Sequence, residues 1–374
     1  MTRFRTVAVA AVALGLVAVP SPASAGGDHH GDHHGDDGIS TVATGLDGPR
    51  QLNEYRGDRL VVAESDSGEV SAVDPETGEV ETLVSGLASP QGVDYSHGRL
   101  YVAVGGPPPP GEEGPPVPEG AVTSALLVYD TEGTLLDTID LLAYEMENNP
   151  DGQLQFDADG VPPDSLSNPF AVYAQHDRVL VADAGANAVL SVDRESGEIS
   201  TFFVPPVVSP EEVEACGIPE NDPGEVGCDP VPTGVTEGPD GLIYVSTLGA
   251  EAPGAARVYV LDRWGHEVRR IGGFTDLTGI AVDCHGTVYV SDLFEGMPSG
   301  EPGPDFDPRT VGQVVRIDRH GHESYAQVSM PSGLVIEDGE LYASAWSVAA
   351  FLGMPGAGEV VRVGDDAFTR TSGS

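Results

Sequence analysis

The stretch Arg178–Asp193, RVLVADAGANAVLSVD, holds two alternating apolar runs joined by a small polar turn. Val179 and Val181 in the first run and Val189 in the second alternate with residues facing the other way. Gly185 and Asn187 supply turn conformations, so the segment reads as a β-hairpin. Its first run ends on a carboxylate, Asp183. The hairpin recurs along the chain. A short anchor of the Pro-x-Gly type precedes each copy: GPRQ at Pro49, SPQG at Pro90, NPFA at Pro169, VPTG at Pro232, DLTG with Leu277 in the proline place, and MPSG at Pro331. The β run after each anchor ends at Glu64, Val104, Asp183, Thr247, Asp292 and Ala345, always fourteen or fifteen residues on.

A third run follows in every unit (GEVSAVD, ALLVYD, AVLSVD, RVYVLD, QVVRID, EVVRVG), then a polar turn and a weaker fourth run such as EVETLVSGL or EVRRIGGF. Four short antiparallel strands repeated six times predict an all-β fold, a six-bladed β-propeller. The sixth unit has no fourth run of its own. GISTVATGL at Gly38–Leu46 matches GEVETLVSGL at Gly78–Leu87, so the N-terminal strand is expected to close the last blade and cover its edge. The tail after Val363 is the other segment that reaches that position.

The propeller is thus expected over 38–364, with a C-terminal tail over 365–374. Ahead of it, residues 1–25 have Arg3 and Arg5, an apolar run over 7–19 and the small residues Ala23–Ala25, the layout of a cleaved secretory signal. The expected location is extracellular, and no second apolar run is long enough to span a bilayer. Residues 26–37, GGDHHGDHHGDD, form a His/Asp-rich flexible tail. His29, His30, His33 and His34 there suit Zn²⁺, Cu²⁺ or Ni²⁺, or belong to a soluble linker.

With 60 acidic residues against 17 basic ones, the formal charge is −43. All the basic residues are arginine. Such a field repels nucleic acid and anionic membranes and favours cations and solubility, so no nucleic-acid partner is expected and the chain should be monomeric. Of the three cysteines, Cys216 and Cys228 share one Pro/Glu/Gly-rich loop and are expected to pair in an oxidising compartment. Cys284 is left as a free thiol.

In a propeller, the loops that enter strand one and those that join strands two and three share a face. Every long insertion falls there: 105–120, 143–166, 205–231, 249–255, 295–311 and 348–357. The other face has only short turns. Loops on a rigid scaffold build binding surfaces, so the long-loop face is the candidate functional face. Glu64, Asp183 and Asp292 end strand two at its rim in alternate blades. They either cap the adjoining turns, converge on a hard cation such as Ca²⁺, or act as an acid/base pair. Phe294, Met297, Trp346, Phe351 and Met354 lie on adjoining loops and either form an apolar lip for a ligand or pin the loops down. His97, His176, His266, His285, His320 and His322 all fall in turns of the opposite face, which leaves the long-loop face without a core histidine base.

NPFAVYAQHDRVLVADAGANAVLSVD (168–193), VPTGVTEGPDGLIYVSTLGAEAPGAARVYVLD (231–262) and YEMENNPDG (144–152) resemble the ScyD/ScyE family of secreted propellers. More broadly, the repeat is similar to NHL-type and SMP-30-like propellers. The resemblance covers nearly all of 38–363 and implies an exported six-bladed propeller. SMP-30-like lactonases hold a divalent metal with Glu, Asn and Asp side chains in the central channel. Glu64 and Asp183 are possible counterparts here, but no matching pair of asparagines stands on the first strands. Streptogramin lyases, also similar in repeat, depend on histidines that this face lacks. The expected role is therefore a binding module for a small molecule or a cell-envelope component, with a metal-dependent hydrolase or lactonase as the alternative.

Overall fold

Six four-stranded antiparallel sheets stand as blades round a common axis. The computed structural model describes residues 38–107, 117–217, 226–298, 300, 303 and 305–370. The expected signal segment and the four tail histidines lie outside the described residues. Blade one is β2 (Pro49–Tyr55), β3 (Arg59–Glu64), β4 (Glu69–Val73) and β5 (Val80–Val84), counting β1 (Ile39–Leu46) as the first strand of the chain. Blade two follows as β6 (Pro90–Ser96), β7 (Arg99–Val104), β8 (Ala125–Tyr129) and β9 (Leu135–Asp140), and blade three as β10 (Pro169–Ala174), β11 (Arg178–Asp183), β12 (Ala188–Asp193) and β13 (Ile199–Phe203). Blade four is β14 (Pro232–Glu237), β15 (Ile243–Thr247), β16 (Ala256–Leu261) and β17 (Glu267–Phe274), and blade five β18 (Leu277–Val282), β19 (Val288–Asp292), β20 (Gln313–Ile317) and β21 (Glu323–Ala326). The sixth consists of β22 (Leu334–Glu337), β23 (Glu340–Ala345) and β24 (Gly358–Val363), and β1 pairs antiparallel with β24 to complete it. The N-terminal strand therefore closes the ring, as the repeat predicts. The C-terminal segment instead joins blade five, where Thr369 and Tyr325 exchange main-chain hydrogen bonds at 2.9 and 3.0 Å.

The second and third strands are apolar on both faces because both faces are covered by neighbouring blades. Six apolar clusters result, one between each adjacent pair of blades. The fourth strands, such as β5 and β9, face solvent, which is why their apolar pattern is weak in sequence. The anchor glycine lets the inner strands crowd the axis: a Cβ at Gly333 would stand 2.5–2.7 Å from the main chain of Leu52 and Arg50 and the Cα of Gln51. The residue ahead of the anchor is left-handed in five blades, at Gly48, Ser89, Val231, Asp276 and Met330. The insertion before blade three opens as a helix, α1 (Leu141–Asn148), capped by Asp140, whose carboxylate accepts from the Ala143 N–H at 2.9 Å.

Candidate functional site

Each rim carboxylate ties the end of strand two to the loop that enters strand one of its own blade. Glu64 accepts from the Asp47 N–H at 2.9 Å and from Ser71 Oγ at 2.5 Å. Asp183 accepts from Ser167 Oγ and the Asn168 N–H, both at 2.7 Å, and from the Ala186 N–H at 3.2 Å. Asp292 takes the Thr275 N–H and the Gln313 side chain. These strands end on acids because the incoming loop presents backbone donors with no other partner. Burial raises the pKa of Glu64 and pushes Asp183 up to about 6 and Asp292 to about 8, the neighbouring acids adding to the last. The three do not converge. Among the described residues no three His, Cys, Asp or Glu side chains are grouped to hold a metal ion. Each acid accepts hydrogen bonds from its own blade, the capping arrangement among the three that the sequence offered.

The apolar lip is only partly a surface. Phe294, Met297 and Trp346 are half-buried against Leu293, Val311, Met330 and Val348, where they hold the loops of blades five and six onto the rim. Phe351 stays 44% exposed and Met354 is half-buried beside it. The large side chains of the two loops satisfy one another first.

At the axis, Gln51 occupies the anchor position that is glycine in four other blades. Its amide donates to the carbonyls of Thr233 at 3.2 Å and Thr278 at 2.6 Å, across the ring. The neighbouring anchor positions are Arg50, Gln91, Phe170, Thr233, Thr278 and Ser332. None of these six is a carboxylate, the donor a hard cation needs, and Arg50 pairs with Asp66 at 3.7 Å. The anchor positions therefore do not by themselves make a hard-cation site, whereas further along the first strands Glu54 and Asp94 act on one another and, with Glu237, on Tyr173. Shallow clefts lie on both faces, one of about 320 Å³ lined by Ser65, Asp66, Ser89 and Val117, the other of about 330 Å³ lined by His285, Arg316, Asp318 and His322.

The disulfide joins Cys216 to Cys228, with Cα atoms 5.0 Å apart, and Cys284 is free and exposed in its turn. The histidines of the turn face stand beside Asx turns: the Asp318 carboxylate accepts from the His320 and His322 N–H groups at 2.7 and 2.9 Å.

Sequence reasoning missed Asp276. It directly precedes the anchor of blade five, and its carbonyl accepts from the Leu293 N–H at 3.1 Å, which sets it beside Asp292. Burial and the nearby Glu251 and Glu295 push its pKa up to about 7. Aligning the residue before each anchor would have exposed it, since Gly48, Ser89, Asn168, Val231 and Met330 are uncharged there. Gln51 was equally visible as the substituted glycine.

No protein-family model and no curated protein sequence matches the chain. In structure it is similar to a gluconolactonase of Xanthomonas campestris, at 12% identity and a TM-score of 0.52 over 87% of this chain and 89% of the other. It is also similar to a Bacteroides thetaiotaomicron protein of unknown function, at 13% identity and a TM-score of 0.51 over 87% and 75%. A calcium-binding regucalcin of Agrobacterium tumefaciens aligns at 12% identity and a TM-score of 0.49 over 88% and 92%. At these identities the likeness concerns the fold alone, a six-bladed propeller.

Proposed function

We propose that the chain is an exported propeller of the ScyD/ScyE type that acts as a binding module and recognises its ligand on the long-loop face. The observation that carries this reading is the asymmetry of the loops. Every long insertion joins strands two and three or enters strand one, whereas the turns on the other face stay short. Export is supported by the signal-like N-terminus and by the Cys216–Cys228 pair, which suits an oxidising compartment. Phe351 and Met354 offer apolar contact, and the acidic rim favours a cationic or polar ligand edge. A small molecule or a cell-envelope component fits this surface, and the charge of −43 disfavours nucleic acid.

The alternative, a metal-dependent lactonase, draws support from the fold shared with the gluconolactonase. It is disfavoured by the axis, where Gln51 spans the ring and no carboxylate occupies the neighbouring anchor positions. The test is a mass-spectrometric search of the purified secreted chain for bound metabolites, followed by transfer of each to the ligand-free protein. Binding lost on Phe351→Ala, with the melting temperature unchanged, supports the reading. Turnover of a lactone that depends on an added metal would favour the alternative.

A further inference from the structure

The six blades act as internal controls for one another, and blade five differs. In blades one and three the rim acid has both carboxylate oxygens bonded to its own chain, at Glu64 and Asp183. At the same position in blade five, Asp292 keeps Oδ1 without a hydrogen-bond partner although the residue is only 3% exposed. Asp276, beside it and 5% exposed, leaves its own Oδ1 without one as well. A buried carboxylate oxygen with no donor is costly, and two on neighbouring residues are more so. The charges acting on the pair are all negative: Glu251 from the blade-four loop and Glu295 from the blade-five loop. That blade-four loop is tied to the segment carrying Asp276 by the Gly254 N–H, which donates to Thr275 Oγ1 at 3.3 Å.

We infer that Asp276 and Asp292 form a site for a hard divalent cation, Ca²⁺ in preference to Mg²⁺, between blades four and five on the long-loop face. The site lies off the axis, and its position rests on the loop-face reading. Two unpartnered carboxylate oxygens on neighbouring residues, whose charges act on one another, are hard donors, and a cation supplies both with the charge that the chain withholds. No third acid is grouped tightly with them, so water, main-chain carbonyls or an inward swing of the exposed Glu295 complete the shell. Ca²⁺ accepts this, since it takes about six to eight oxygens in loose geometry, whereas Mg²⁺ requires a near-ideal octahedron.

The test is a calorimetric titration of the secreted chain with CaCl2, in mildly alkaline buffer with about 0.15 M salt to screen diffuse attraction to the acidic surface. Wild type should show one saturable site. Asp276→Asn and Asp292→Asn should each weaken it at least tenfold, and Glu337→Gln on the turn face should leave it unchanged. Ca²⁺ should raise the melting temperature of wild type but of neither Asn variant. Without Ca²⁺ both Asn variants should melt at or above wild type, because each removes an unpaired buried charge. The inference is overturned if wild type shows no saturable uptake up to about 1 mM, if both Asn variants bind as wild type does, or if they melt below it in the absence of Ca²⁺. A failed titration leaves the loop-face reading intact, since that reading falls only if a captured ligand maps to the turn face.

Discussion

Leu46→Ala tests whether the N-terminal strand holds the ring shut. Leu46 is 1% exposed and ends β1, packed in the cluster between blades six and one with Leu52, Leu60, Val62, Tyr342 and Val360. Truncating a leucine in such a place removes its transfer free energy and leaves a cavity lined from two blades, about 3 kcal/mol in all. Unfolding entropy is about 2.1 cal/mol/K per residue. For a propeller of this length the loss lowers the melting temperature by roughly 4 °C. The assay is thermal unfolding by circular dichroism with the disulfide intact, alongside Leu135→Ala. Leu135 lies on the outer strand β9 at 48% exposure, and its truncation should change stability by less than about 0.5 kcal/mol. Deleting residues 38–46 should cost more than Leu46→Ala, because it also exposes the edge of β24. If Leu46→Ala melts no lower than Leu135→Ala, the closure argument fails.

Three further outcomes follow from the same structure. Asp94, Glu145 and Glu337 have pKa values pushed by burial to about 7, so their contribution to stability is full below the unfolded value of about 4 and is lost as pH rises through 7. Stability should therefore decline from about pH 5 to pH 8, even in about 1 M salt, where the repulsion of the acidic surface is screened. A flat profile in that salt would contradict it. Gln51→Ala removes both donors to the Thr233 and Thr278 carbonyls at the axis. It should cost about 1–3 kcal/mol in denaturant unfolding, and an unchanged midpoint would show that the plug does not stabilise the ring. Replacing Cys216 and Cys228 together by Ala should cost about 3 kcal/mol, the loop-closure value for a separation of 12 residues. Non-reducing peptide maps should find Cys284 unpaired in wild type, and a peptide joining it to either partner would refute the pairing.

The repeat was legible because inner-strand crowding demands a small residue at a fixed register, so anchors such as Gly279 and Gly333 recur at a nearly constant distance from the strand-two terminus. The position of Asp183 at the rim was legible for the same reason. Its partners were not, because Ser167 and Asn168 reach it through a bulge between β10 and β11 that alternation alone does not reveal. Helix α1, Leu141–Asn148, runs into a span read as loop from Ala143 onward, its mixed apolar and acidic sequence giving only a weak helical signal. The lip residues were placed on the right loops, but a pattern cannot say that Trp346 and Phe294 would cover Met330 and Val348 and leave Phe351 outside.

The loop-face assignment is put to its sharpest test by hydrogen–deuterium exchange of the purified chain with and without a co-purified ligand. Ligand-dependent protection is expected in the loops around 249–255, 293–298 and 346–357, with turn-face peptides carrying His176, His285 and His320 unchanged. Protection confined to those turn-face peptides would contradict it.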